Sequence, residues 1–195
     1  METKAQYRRF FRQQRKNLLP AVRKQAEQRI NRLLKGYLKR NARLGVYWPM
    51  GSELHLDALV VAARCRGCRL YLPYIELNSR RLWFTPYRQN MQPERHKRAM
   101  KTQIPQFGGQ KIRAHQLQAI LVPLVGVDQA GYRLGQGGGY YDTSLAATRG
   151  RLQPRKIGVG FACQQVERLP ADPHDIRVDD WVCETGIQRF KKAFK

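Results

Sequence analysis

The chain has 195 residues, of which 42% are hydrophobic and 10% aromatic. A chain of this length reads as one domain spanning residues 1–195, and its apolar content excludes disorder throughout. Its 37 Lys and Arg against 14 Asp and Glu give a formal net charge of +23, which implies an anionic partner: nucleic acid, phospholipid head groups, or a small substrate rich in phosphate or carboxylate.

Residues 4–17 are predicted to form a helix. Tyr7, Phe10, Phe11, Gln14 and Leu18 share one side, and Lys4, Arg8, Arg12 and Arg15 another. Pro20 suits the first turn of a second helix, in which Val22, Ala26, Ile30, Leu33, Leu34, Tyr37 and Leu38 recur at helical spacing. A strand is expected over Leu44–Trp48, a loop at Gly51–Glu53, and a helix over Leu54–Arg64. Short strands follow at Arg69–Leu72, ended by Pro73, and at Arg81–Thr85. Residues 86–115 read as polar and irregular. Ala119–Val122 is an apolar strand, followed by a glycine-rich loop and a helix over Tyr140–Thr148. Lys156–Gly160 and Trp181–Cys183 are the last two strands expected.

Strands alternating with helices predict an α/β fold on a mostly parallel sheet. Such sheets bind ligands at the carboxyl ends of their strands. The loops at Pro49–Glu53, Pro73–Glu76 and Pro123–Asp142 are therefore expected to converge.

The segment from Gly131 to Asp142 reads GYRLGQGGGYYD, with four glycines in the five positions 135–139. Backbone N–H groups stripped of side-chain bulk can turn toward one anion, and the amino end of the next helix adds positive potential. Arg133 at the mouth can grip phosphate oxygens, and Asp142 can hold a hard cation against them. No Gly-Lys-Ser/Thr follows, so this is not a P-loop, and the glycine spacing is not that of the dinucleotide fingerprint.

The longer run from Val122 to Asp142 resembles the 5-formyltetrahydrofolate cyclo-ligase (5,10-methenyltetrahydrofolate synthetase) family. Lys4 with Arg8, the segment Trp48-Pro49-Met50-Gly51-Ser52-Glu53, and the tail Gln164–Pro170 with His174-Asp175 are similar to it as well. The resemblance implies a three-layer α/β/α Rossmann-like fold of the CoA-transferase-like kind. It implies a ligase that uses ATP and Mg²⁺ to close 5-formyltetrahydrofolate, with or without a polyglutamate tail, into 5,10-methenyltetrahydrofolate. The formyl oxygen is phosphorylated, a substrate nitrogen attacks the activated carbon, and phosphate leaves, so no protein nucleophile or catalytic base is required. Carried over by position, Lys4, Arg8, Arg133, Leu134, Gly135, Gln136, Gly137, Gly138, Gly139, Tyr140 and Tyr141 would bind the nucleotide. Trp48, Glu53 and Gln136–Tyr140 would meet folate, and Asp142 and Asp175 would hold Mg²⁺. Thr143 stands where many members carry Arg, and Ile104-Pro105 is nearest to a Glu-Pro pair common before residue 110. A relative that keeps the nucleotide loop without the folate reaction is therefore the alternative.

Cys65 and Cys68 have metal-knuckle spacing, but Cys163 and Cys183 lie too far along the chain to complete a site. The cysteines read as reduced thiols of a cytoplasmic protein with no export signal and no apolar run of about 20 residues. His55, His96, His115 and His174 suggest no ligand set, although His174 beside Asp175 could orient the metal region. Basic and aromatic residues mingle at Arg8–Arg12 and Trp83–Arg88, so nonspecific nucleic-acid binding is the second expected property. A monomer is expected.

Overall fold

The computed structural model describes residues 3–88, 90–99 and 102–191, with backbone alone for 96–99, 102 and 103. The side chain of His96 lies outside the described residues. Helix α1 (Lys4–Lys16) starts at Thr3, whose hydroxyl accepts the Gln6 N–H while the Gln6 side chain accepts the Thr3 N–H. Helix α2 (Pro20–Leu34) opens on Pro20 and runs into a 3₁₀ turn at Lys35–Tyr37. Helix α3 (Asp57–Cys65) starts three residues later than predicted. Asn31, buried in α2, fixes that start. Its side-chain oxygen accepts the Leu59 N–H, and its amide donates to the carbonyls of Glu27 and His55.

The main sheet has seven strands: β1 (Arg43–Gly45), β2 (Arg69–Tyr74), β3 (Trp83–Pro86), β6 (Ala119–Pro123), β9 (Arg155–Val159), β11 (Asp180–Cys183) and β12 (Gly186–Arg189). Their order is β12-β11-β9-β6-β1-β2-β3, parallel except for the two edge strands. The α/β expectation holds, with corrections at its margins. β1 ends at Gly45 because the chain leaves the sheet, where the Tyr47 hydroxyl donates to the Leu54 carbonyl. β2 passes through Pro73. Its pairing with β1 stops at Tyr71, so the missing proline N–H leaves no gap in that ladder. β12 lies beyond the last strand expected.

Inward residues alternate along the strands. Leu44, Val46, Leu70, Leu72, Leu121, Ile157, Val159 and Val182 face α2 and α3. Ile120, Val122 and Tyr71 face the opposite layer, which includes Leu145 of α4 (Tyr140–Ala146). Gly45 permits close packing there, since a Cβ would sit 2.9 Å from Leu117.

A second sheet, in the order β10-β7-β8, joins β7 (Gly126–Asp128), β8 (Arg133–Leu134) and β10 (Gln165–Val166). It was not predicted. Its strands are too short to show a period. Buried Asp128 holds its turn by accepting the N–H groups of Ala130, Tyr132 and Leu169. α1 docks here through Phe11, which packs with Val125, Leu134 and Leu169. A hairpin of β4 (Arg95–Ala99) and β5 (Thr102–Gln106) occupies the stretch read as irregular. Among the described residues no helix is long and apolar enough to cross a membrane.

Candidate active site

The carboxyl ends of β1, β2 and β6 open onto a cleft of about 430 Å³. Met50 and Glu53, Pro73 and Ile75, and Pro123 and residues 133–142 line it, so the three loops do converge. Every site residue named from the sequence borders this one space: Lys4, Arg8, Trp48, Glu53, Arg133 through Asp142, and Asp175. Arg12 and Asp172 were not foreseen, whereas Ile104 and Pro105, singled out as nearest to a Glu-Pro pair, belong to β5. Asp172, Ile104 and Pro105 border the cleft too, whereas Arg12 reaches the loop from behind.

The glycine loop runs from β8 to α4. Gly137 has φ +105° and Gly139 φ +69°, values that favour glycine. Gly137 and Gly138 are exposed. Among the described residues, no N–H of positions 135–139 donates to another protein group. The loop is held by its carbonyls and side chains instead. Arg8 Nε donates to the Gly135 carbonyl at 2.8 Å, and Arg12 Nη2 to the Gln136 side-chain oxygen at 2.7 Å.

Arg133 is buried, and its Nη2 donates to Asp142 Oδ1 at 2.7 Å, while its Nε has no partner among the described residues. Its guanidinium lies 5.7 Å from the centre of the Tyr141 ring. The Tyr141 hydroxyl is buried without a partner too, and burial pushes it well above its ordinary range.

Glu53 is 3% exposed. Burial raises its carboxyl above the usual value. Bonds from the Gln136 amide at 2.8 Å and the Met50 N–H at 3.0 Å, with the charges of Arg15 and Arg12, offset part of that rise. Trp48 stands at the rim, edge-on to Tyr87 and tilted against Phe107.

Lys4 Nζ lies 2.6 Å from both Asp172 and Asp175. Burial works against its charge, but the two carboxylates outweigh burial and raise its pKa, while Lys4 holds Asp172 below its usual range. Asp172, His174 and Asp175 bring ligand atoms within 4.8 Å of one another. His174 is an exposed loop residue whose ring nitrogen lies 3.9 Å from Asp172. Asp142 is not in that group; Arg133 and the Ile176 N–H engage it.

Residues 1–184 match the profile of the 5-formyltetrahydrofolate cyclo-ligase family. The chain belongs to this family. A cyclo-ligase of Haemophilus influenzae is 28% identical over 190 residues, 92% of this chain and 96% of its own. One of Escherichia coli K12 is 30% identical over 135 residues, 68% of this chain and 72% of its own. The fold of a 5,10-methenyltetrahydrofolate synthetase from Aquifex aeolicus superposes with a TM-score of 0.78 at 27% identity, covering 98% of this chain and 95% of that one. The cyclo-ligase motif between Val122 and Asp142 thus coincides with the loop whose amides stand free. The cysteines add nothing to the cleft. All four are free thiols, with Cys65 exposed and Cys68 buried.

Proposed function

We propose that the protein cyclises 5-formyltetrahydrofolate to 5,10-methenyltetrahydrofolate, using MgATP and releasing ADP and phosphate. The observation that carries this reading is the run of unengaged amides at 135–139, set between Arg8 and Arg133 at the amino end of α4. Five such N–H groups and two guanidinium groups make a triphosphate cradle without a P-loop lysine. Lys4 and Arg8 would reach the phosphates from α1. The orphaned Arg133 Nε marks a donor with no protein acceptor.

Folate would lie toward Glu53 and Trp48. An ionised Glu53 accepts N–H bonds from the pterin edge, and Trp48 offers an aromatic wall. Gln136–Tyr140, between the two subsites, would touch both ligands. Asp142 and Asp175 are the carboxylates suited to Mg²⁺, and Asp172 and His174 add hard or borderline donors beside Asp175. Mg²⁺ would supply neutralisation of phosphate charge during transfer.

The reaction then asks the protein to position rather than to attack. The formyl oxygen takes the γ-phosphoryl group as ADP leaves. A substrate nitrogen attacks the formyl carbon, closing the ring as the carbon–oxygen bond to phosphate breaks. Holding the formyl oxygen near the γ-phosphate in a shielded cleft is the principal catalytic contribution. A cytoplasmic setting is consistent with cysteines that are all free.

The test is the near-ultraviolet absorbance of purified protein mixed with 5-formyltetrahydrofolate, ATP and Mg²⁺. A rise that needs all three supports the reading. Nucleotide binding without any rise would instead support the paralogue that keeps only the loop.

A further inference from the structure

Arg12 reaches the glycine loop but has no part in the roles above. Its guanidinium donates to the side-chain oxygen of Gln136, and the Gln136 amide donates to Glu53 Oε1. The neighbours decide how this amide is turned, because only an oxygen can face a guanidinium and only an N–H a carboxylate. The second Glu53 oxygen accepts the Met50 N–H. One polar chain thus joins α1, the glycine loop and the segment after β1, with a positive charge at one end and a negative one at the other. Such bonds are the stronger kind and reinforce one another. Arg8 binds the same loop only at the Gly135 carbonyl and does not connect to Glu53.

Building on the ligase reading, we propose that Arg12 and Gln136 form a relay that makes the nucleotide and the folate bind cooperatively. The loop segment that follows Gln136 is exposed, and its amides have no internal partner, so an anion seated there orders the loop and with it Gln136. An ordered Gln136 keeps Glu53 turned toward the pterin. Each carboxylate oxygen has two lone pairs, so a ligand N–H can join Glu53 without evicting Gln136, and the coupling is positive. It is reciprocal, since each ligand relieves part of the ordering that the other requires. Arg12 and Gln136 are positioning residues in this scheme, acting through Glu53 and the loop.

The experiment measures the dissociation constant of 5-formyltetrahydrofolate with and without a non-hydrolysable ATP analogue and Mg²⁺. In the wild type the analogue is expected to tighten folate binding by about 5-fold or more. Gln136→Met and Arg12→Met each bring that ratio to about 1, and the double variant goes no further, because both cut the same chain. Either variant alone suffices if the other fails to fold, as judged by circular dichroism. A wild-type ratio near unity, or a ratio that survives the substitutions while both ligands still bind, overturns the relay and leaves the ligase reading intact. A wild type that binds neither ligand overturns both.

Discussion

Glu53 is the residue where burial and function pull in opposite directions. Its carboxyl is raised above the ordinary value chiefly by burial. A raised folded-state value means this group stabilises the fold below its unfolded pKa, and that contribution is lost as pH rises through the folded one. In the proposed folate subsite the ionised form is the one that accepts pterin N–H groups, so binding there follows the reverse course. Affinity for 5-formyltetrahydrofolate is expected to weaken as pH falls through the raised value. Glu53→Gln should bind weakly at neutral pH without that step, as a fluorescence titration across the acidic range would show. Gly137 makes a second prediction. Its φ of +105° is strained for any L side chain, and a Cβ there would lie 3.7 Å from the Arg8 guanidinium carbon. Gly137→Ala should lower nucleotide affinity about 10-fold, or about 1.4 kcal/mol, at the lower end of what such backbone strain costs. Gly36→Ala, at a site with nothing within 4 Å, is the control that should bind normally. The glycine cluster, Arg133 and Asp142 were legible because their types and order announce an anion site. Asp172 and Arg12 were not. A single Asp before a proline, or one Arg on a helix already rich in Arg, carries no local signal, and only the fold shows what each faces.

At the scale of elements, α1 positions the cationic side of the cleft, and one glycine seats α1. A Cβ on Gly126 would fall 2.3 Å from the Phe11 ring. Gly126→Ala should therefore lift the helix and carry Lys4, Arg8 and Arg12 with it. The expected cost is about 1–3 kcal/mol of stability, with weaker nucleotide binding although Gly126 does not border the cleft. Adding Phe11→Leu should restore part of both, which melting curves and nucleotide titrations would reveal. The helices were legible in the sequence because their apolar residues recur at a helical period and because Pro20 marks one start. The hairpin of β4 and β5 was hidden. Arg95-His96-Lys97-Arg98 shows no apolar alternation, so no period of two marks a strand there, and the pair lies outside the main sheet. It nonetheless contributes Ile104 and Pro105 to the cleft wall, and Gln106 ties it to the end of β2 by accepting the Ile75 N–H.

For the whole molecule, the mostly parallel sheet follows from alternating helices and strands, and the family resemblance added the layer count. The edge strand β12 and the small second sheet escaped because their strands are too short and too mixed in polarity to show a period. The +23 charge is a property of the entire surface. Retention on single-stranded RNA should be independent of base sequence and should fall steeply between about 50 and about 200 mM salt. MgATP should leave that retention unchanged; displacement by MgATP would mean that the RNA enters the cleft. Within so cationic a protein, Lys4 is turned toward Asp172 and Asp175 rather than toward open solvent. A bare triphosphate that drew Lys4 away would strand two carboxylates, and a lone divalent cation that claimed Asp175 would strand an ammonium. A visitor bearing both signs leaves nothing stranded, so this resting arrangement favours the chelated nucleotide over either half arriving by itself.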